Sequence, residues 1–284
     1  MKHTRWLSFL LAAALLLLPA ASFAMTLGGI GADEYYQQGM SYFHMEDYAA
    51  AASSFQQAGN YLDAKKWTYY CQAIDGVVNS TDANALSRAA ARFGLLEAHS
   101  FEQSAQWTIY CKARSYESMG IKDTAARHYE QILVHDSIER YLACVGMEQL
   151  TESAEEVRSR VDTGGMSAAE LYETAMAYYY FEEYATAADY FCLAGNYSDA
   201  RQWGYYCRAI SLVKDGKPLE NTAQLFSILN TQQFADADQW LTYCQARYRE
   251  EKGMYSQAAE MYRQIFINDS SERYLSCLDK LEQQ

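Results

Sequence analysis

Proline is almost missing from this chain: its 284 residues include two, Pro19 and Pro218, and the first follows an apolar N-terminal run. Beyond that run little interrupts a helix, since proline is the residue that removes a backbone donor and clashes with the preceding turn. Positive charge is also scarce, with 23 Lys and Arg against 36 Asp and Glu. Such an acidic surface repels nucleic acid, which is held mainly by cationic side chains on phosphates, and it repels anionic lipid for the same reason. Histidines are few, and His44, His99, His128 and His135 stand in no nucleophile, metal or phosphate motif. None of the seven cysteines lies in a C-x-x-C or His-flanked arrangement, so no metal centre is expected. The glycines form no phosphate-cradling loop ahead of a helix. With no cofactor implied and no catalytic constellation in view, the chain reads as a non-enzyme.

Long apolar runs are absent with one exception. Trp6 to Leu18 is apolar, preceded by Lys2 and Arg5 and followed by Pro19 and the small-residue tail Ser22-Phe23-Ala24. Thirteen residues fall short of the roughly 20 that cross a bilayer. A positive start, a short greasy core and small residues at the end are the layout of a secretory signal peptide. Residues 1–24 are therefore expected to be a leader cleaved after Ala24, with an uncleaved N-terminal anchor as the alternative. Removing Lys2 and Arg5 leaves 21 basic against 36 acidic residues. The expectation is a secreted or extracytoplasmic protein with no membrane insertion after cleavage.

What the chain has in excess is tyrosine, 25 in all, and an internal repeat. Ala58–Ile74, AGNYLDAKKWTYYCQAI, returns 136 residues later as Ala194–Ile210, AGNYSDARQWGYYCRAI, with 12 of 17 positions identical. The match extends to both sides. Gly28-Gly29 pairs with Gly164-Gly165, and DSIERYLAC ending at Cys144 pairs with DSSERYLSC ending at Cys277. The offset becomes 133 from Trp107/Trp240 onward. The chain thus divides into a first array (25–150), a linker (151–166) and a second array (167–284), either hinged at Gly164-Gly165 or continuous. Equivalent positions of the two arrays are expected to face equivalent surroundings.

A shorter period runs inside each array. From Gly39 it gives Tyr42, Tyr48, Ala51, Phe55 and Ala58; from Ala175 it gives Tyr178, Tyr184, Ala187, Phe191 and Ala194. Small residues where helices cross, with aromatics between, are what close antiparallel helix pairs require. This spacing resembles the tetratricopeptide repeat, a helix-turn-helix unit of about 34 residues. The G-N-Y-x-D-A junction followed by a Cys-bearing helix is similar to degenerate repeats of that kind in Gram-positive bacteria. The resemblance implies an all-α, right-handed α-solenoid. The patterning predicts seven helices per array, at about 32–44, 48–59, 63–76, 83–97, 103–119, 123–134 and 137–149, and at 168–181, 184–195, 199–214, 219–230, 236–252, 256–267 and 270–282. The charged linker segment Glu152 to Arg160 is a further helix candidate, one that would finish the first array. Asp63, Asp199, Ser137 and Ser270 suit helix N-caps, and Asp136 with Glu139, or Asp269 with Glu272, reads as a capping box.

The pattern W-x-x-Y-C-x-A occurs four times, at Trp67, Trp107, Trp203 and Trp240, placing Trp, Tyr and Cys on one helical face. Two readings stand. The face is the seam between successive units, or it is an aromatic ladder lining a concave groove, as the tetratricopeptide register implies. The groove reading makes a protein or peptide the partner. Its candidate contacts are Tyr36, Phe43, Tyr70, Tyr110 and Arg114 with their copies Tyr172, Tyr179, Tyr206, Tyr243 and Arg247. Tyr180 and His44 join them near the turn entrances, and Arg114 and Arg247 would hold a carboxylate. Surface carbohydrate stacked on Trp and Tyr is the alternative ligand. The mid-helix cysteines are expected to be buried free thiols acting as small hydrophobes.

Overall fold

The computed structural model describes residues 30–147, 150 and 152–283. The expected leader lies outside them. The described residues contain fifteen helices and no strand. In the first array these are α1 (Ala32–His44), α2 (Tyr48–Ala58), α3 (Ala64–Val78), α4 (Ala83–Glu97), α5 (Ser104–Ser118), α6 (Lys122–Tyr129) and α7 (Ser137–Val145). A short α8 (Ala154–Arg158) occupies the linker, where the charged segment suggested a helix. The second array has α9 (Ala168–Tyr180), α10 (Tyr184–Ala194), α11 (Ala200–Lys214), α12 (Leu219–Thr231), α13 (Ala237–Glu251), α14 (Tyr255–Tyr262) and α15 (Ser270–Glu282). Within each array every helix packs on the next, which makes the chain an all-α solenoid of paired helices, and α8 packs on α10 of the second array rather than finishing the first.

Local chemistry sets several of the helix ends. The Asp47 and Asp82 carboxylates accept from the backbone amides of Ala50 and Ala85, and Ser153/Glu156 and Ser167/Glu170 form complete capping boxes. Gly59 and Gly195 end α2 and α10 with φ of 64° and 62°, a conformation glycine adopts without a Cβ penalty. Three expectations fail. Ser137 and Ser270 are first helical residues rather than N-caps, and Asp63 and Asp199 stand at N-caps without a side-chain cap bond. The capping boxes at Asp136/Glu139 and Asp269/Glu272 do not form, because both aspartates spend their carboxylates on side chains of the preceding unit. Helices α6 and α14 also stop about five residues early. Their continuations turn toward the next helix through His135 and Asn268, which sit at φ of 50° and 47°.

The duplication is accurate down to the backbone. Among the described residues all the non-glycine positions with positive φ pair up across the arrays: Glu46 with Glu182, Leu62 with Ser198, Ser100 with Gln233, Glu102 with Ala235, and His135 with Asn268. The seam repeats equally well. Phe55 stacks on Trp67, Phe93 on Trp107, Phe191 on Trp203 and Phe226 on Trp240, with interplanar angles of 18°, 14°, 19° and 10°. In each case a ring from one helix pair lies flat on the tryptophan of the next. Burying such a phenylalanine ring contributes about 1.5–3 kcal/mol of transfer free energy.

The arrays also touch far from the linker. Asn196 donates to the Tyr48 hydroxyl (2.8 Å), Arg201 donates to Glu46 (3.2 Å) and Glu139 (3.1 Å), and Tyr141 donates to Gln224 (3.0 Å). The larger buried cluster accordingly draws on both arrays. No described helix is long and apolar enough to cross a membrane.

Candidate interaction site

The tyrosine row is positioned by the first helix of each pair, and most of it is spoken for. Tyr36, Tyr110, Tyr172 and Tyr243 donate to Asp63, Asp136, Asp199 and Asp269 at 2.6, 2.5, 2.6 and 2.5 Å. Each acceptor begins the next helix pair, so the hydroxyl ties one unit to its neighbour. Around Tyr110 the tie becomes a network. Arg140 donates to Asp136 (2.9 Å) and Glu117 (3.0 Å), and Tyr129 donates to Glu117 (2.6 Å). Arg273, Asp269, Glu250 and Tyr262 repeat it in the second array. Burial pushes the Tyr36 phenol up to about 12, and the carboxylate of Asp63 adds to the effect.

These contacts decide between seam and groove for most of the candidates. Tyr70, Tyr110, Tyr206 and Tyr243 are buried, as are Trp67, Trp107 and Trp240. Arg114, expected to hold a partner's carboxylate, is itself buried and donates to the carbonyls of Val77 (3.3 Å) and Ser80 (3.2 Å) and to the Tyr110 hydroxyl (3.3 Å). Arg247 is half-buried against Tyr243 (3.3 Å) and Glu251 (3.7 Å). Tyr36 and Tyr172 are half-buried behind their aspartates. The face that carries W-x-x-Y-C-x-A is therefore mostly packing: the buried side chains present no surface to a ligand, and Tyr36, Tyr172 and Arg247 present only part of theirs. Phe43 and Tyr179 differ. Both are half-buried at the mouth of a cradle, with ring centroids 4.9 Å from Trp67 and Trp203 respectively.

In the first array that cradle is filled. Met40, Phe43, His44, Tyr48, Trp67 and His135 line it, and the α10–α11 junction of the second array sits against them with Asn196, Ser198 and Arg201. Tyr197 places its ring 5.9 Å from His44. A cavity of about 300 Å³ remains around the junction. A second, of about 370 Å³, lies behind it among Glu139, Glu152, Cys192, Arg201, Tyr205 and Arg208. Burial opposes the charge on Arg201, but Glu139 and Glu46 outweigh it and hold the guanidinium above its ordinary pKa. Burial pushes the His135 imidazole below its ordinary value and the Glu139 carboxyl above its own.

The same cradle in the second array is open. Tyr184 and Trp203 are half-buried where Tyr48 and Trp67 are buried. Phe266 is 87% exposed where its equivalent Leu133 is 9% exposed, whereas Tyr180 and Phe181, 71% and 78% exposed, match exposed equivalents in His44 and Met45. The expectation that equivalent positions share equivalent surroundings holds along the seam and fails here. Sequence reasoning picked out Tyr179 and Tyr180, and Trp203 as part of the aromatic ladder, but missed Phe266. Pairing Phe266 with Leu133 was possible from the repeat. Knowing which of the two is covered was not.

The cysteines follow expectation. All seven are free; Cys71, Cys111, Cys207, Cys244 and Cys277 are buried, and Cys144 and Cys192 half-buried. Burial pushes the Cys71, Cys111 and Cys244 thiols up to about 12, so they are protonated and inert as nucleophiles. No family model, curated protein or solved structure matches the chain.

Proposed function

We propose that this protein is an exported, non-catalytic scaffold of tetratricopeptide-like repeats that docks a protein or peptide on the open cradle of its second array. The observation that carries the reading is the contrast between two copies of one surface. In the first array the cradle binds a polypeptide junction, and in the second the same surface stands uncovered, with Tyr184, Trp203 and Phe266 more exposed than their equivalents Tyr48, Trp67 and Leu133. A surface built to hold a polypeptide segment in one copy has the shape and chemistry to hold one in the other. Rigid aromatics give large contact area at small entropic cost. Isolated exposed rings are ordinary on protein surfaces, whereas a cluster is a feature of binding sites. The N-terminal layout supports export of the scaffold.

The carbohydrate alternative draws less support. Trp67, Trp107 and Trp240 are buried, which leaves Trp203 as the one tryptophan among the described residues with a partly exposed ring. The test is capture from envelope and culture fractions with the parent chain and with a Tyr180→Ala/Phe266→Ala double variant. Loss of a specific polypeptide from the variant supports the reading. Equal capture by both, or capture that is lost on Tyr36→Phe instead, refutes it.

A further inference from the structure

We infer that the occupant of the open cradle is the α2–α3 junction of a second copy of this chain, so that molecules join head to tail. The inference rests on the reading that this cradle is a docking surface and names what docks there. Its foundation is an interface the molecule already contains. The second array inserts its α10–α11 junction into the first array's cradle, and the first array carries the same junction, GNYLDAKKW, with nothing seated on it among the described residues. Both halves of a repeat of that interface are therefore present and uncovered on each molecule.

The polar contacts transfer. Inside one molecule Asn196 donates to the Tyr48 hydroxyl, and Arg201 bridges Glu46 and Glu139. The equivalent donors, Asn60 and Lys65, are exposed on the first array. The equivalent acceptors are Tyr184, Glu182 and Glu272, and both glutamates are exposed on the second. Glu182 now pairs with Lys214 at 2.9 Å, an exposed contact that is cheap to exchange. Lysine matches two carboxylates as a point charge but lacks the fork of the arginine it replaces, which makes the contact between molecules weaker than the one within.

The apolar contacts grow rather than shrink. Leu62, 73% exposed and held at a φ of 44° that leucine seldom adopts, replaces Ser198. Phe266 replaces Leu133 on the wall opposite. A second patch agrees independently. Where α7 meets α12 through the Tyr141–Gln224 bond, Leu142 and Ile228 are buried, and their equivalents Leu275 on α15 and Leu95 on α4 are each 59% exposed. Phe266, Leu275 and Leu95 are thus three exposed apolar side chains whose equivalents are buried in the molecule, and Leu62 adds a fourth at the rim, where its equivalent Ser198 stays exposed. Such a contact is heterologous: it uses different patches on the two partners and propagates into open chains.

The test exploits that polarity. A Lys65→Glu/Leu62→Asp chain keeps its cradle but lacks a junction, and a Tyr180→Asp/Phe266→Asp chain keeps its junction but lacks a cradle. All four positions are solvent-facing, and matching far-UV spectra and melting temperatures check that both variants fold. Sedimentation velocity over a concentration series should show the parent growing beyond dimer. Each variant alone should associate about tenfold more weakly or worse, the first because Lys65→Glu turns charge attraction into repulsion and the second because two aromatic contacts give way to carboxylates that docking would desolvate. An equimolar mixture should stop at a one-to-one dimer. A parent that stays monomeric, variants that associate like the parent, or a mixture with no heterodimer each overturn the inference. A monomeric parent that still captures a foreign polypeptide through Tyr180 and Phe266 overturns the self-docking inference alone and leaves the proposed function standing.

Discussion

Replacing Tyr110 by phenylalanine removes one hydroxyl and almost no volume, so its cost isolates the bond that ties unit to unit. That hydroxyl donates to Asp136 at 2.5 Å and accepts from Arg140 (3.1 Å) and Arg114 (3.3 Å). Asp136 keeps Arg140 after the change, and Arg114 keeps two backbone carbonyls, so no buried charge is abandoned. A hydrogen bond to a charged group is worth about 1.5–3 kcal/mol, and Tyr110→Phe should cost that much in urea unfolding followed by far-UV circular dichroism at pH 7. Its copy Tyr243→Phe should cost less, about 0.5–1.5 kcal/mol. Asp269 keeps both Asn268 and Arg273, and its side chain is 43% exposed against 27% for Asp136, so water replaces the lost donor more readily.

The pH dependence supplies a second check on the same bond. Burial raises the Asp136 carboxyl, but His135, Arg140 and Tyr110 outweigh it and hold the group below its ordinary value of 3.8. A depressed folded pKa contributes stability that is complete above the unfolded value and is lost as pH falls through the folded one. Removing the Tyr110 donor moves the folded value back toward 3.8, so the penalty of Tyr110→Phe should be full at neutral pH and shrink on acidification below 3.8. A variant within about 0.5 kcal/mol of the parent at pH 7, or a larger cost at Tyr243 than at Tyr110, would refute the idea that this row fastens the units.

Other outcomes follow from the same contacts. In single-tryptophan variants acrylamide should quench Trp203 and spare Trp67, Trp107 and Trp240; strong quenching of Trp107 or Trp240 would contradict their burial. Ala51→Arg and Ala187→Arg place a long cation at helix crossings where no surface is exposed, and should cost about 1–3 kcal/mol or more by thermal melting; a parent-like melt would mean the crossing lies elsewhere. The His135 imidazole, held below its ordinary 6.5 by burial, takes up its proton more readily when unfolded. Stability should therefore fall as pH drops below 6.5, and His135→Gln should flatten that window in a series of melts. Arg201→Ala takes the charge partner from Glu46 and from Glu139 Oε1, while Glu139 Oε2 is already buried without a hydrogen bond, and should loosen the packing of one array on the other by about 2 kcal/mol or more. Faster cleavage near Gly164-Gly165 in limited proteolysis is the readout.

The fold was legible because its signals are local and repeated. Near-absence of proline, helical spacing of small and aromatic residues, and the copied AGNY-x-DA junction place every helix within a few residues, since periodicity reports which side of a helix is buried. The candidate site was only half legible for the same reason. Periodicity puts Trp, Tyr and Cys of W-x-x-Y-C-x-A on one face, yet a buried face and a ligand-lining face have the same period. The hydroxyl of Tyr110 could not be assigned to Asp136 by spacing alone either: the two are 26 residues apart and meet only when successive helix pairs stack.

The sequence alone determined the all-helical repeat, the duplication and the residues that recur in the seam, because each depends on short-range pattern and on comparing the chain with itself. Tertiary structure decided which copy of each surface is covered. The α10–α11 junction packs into the first array's cradle, while nothing among the described residues packs into the second's, so Leu133 is buried and Phe266 exposed at equivalent positions. Equal sequence gives equal helices. Burial depends on what lies across the gap, and a helix's own residues do not encode that.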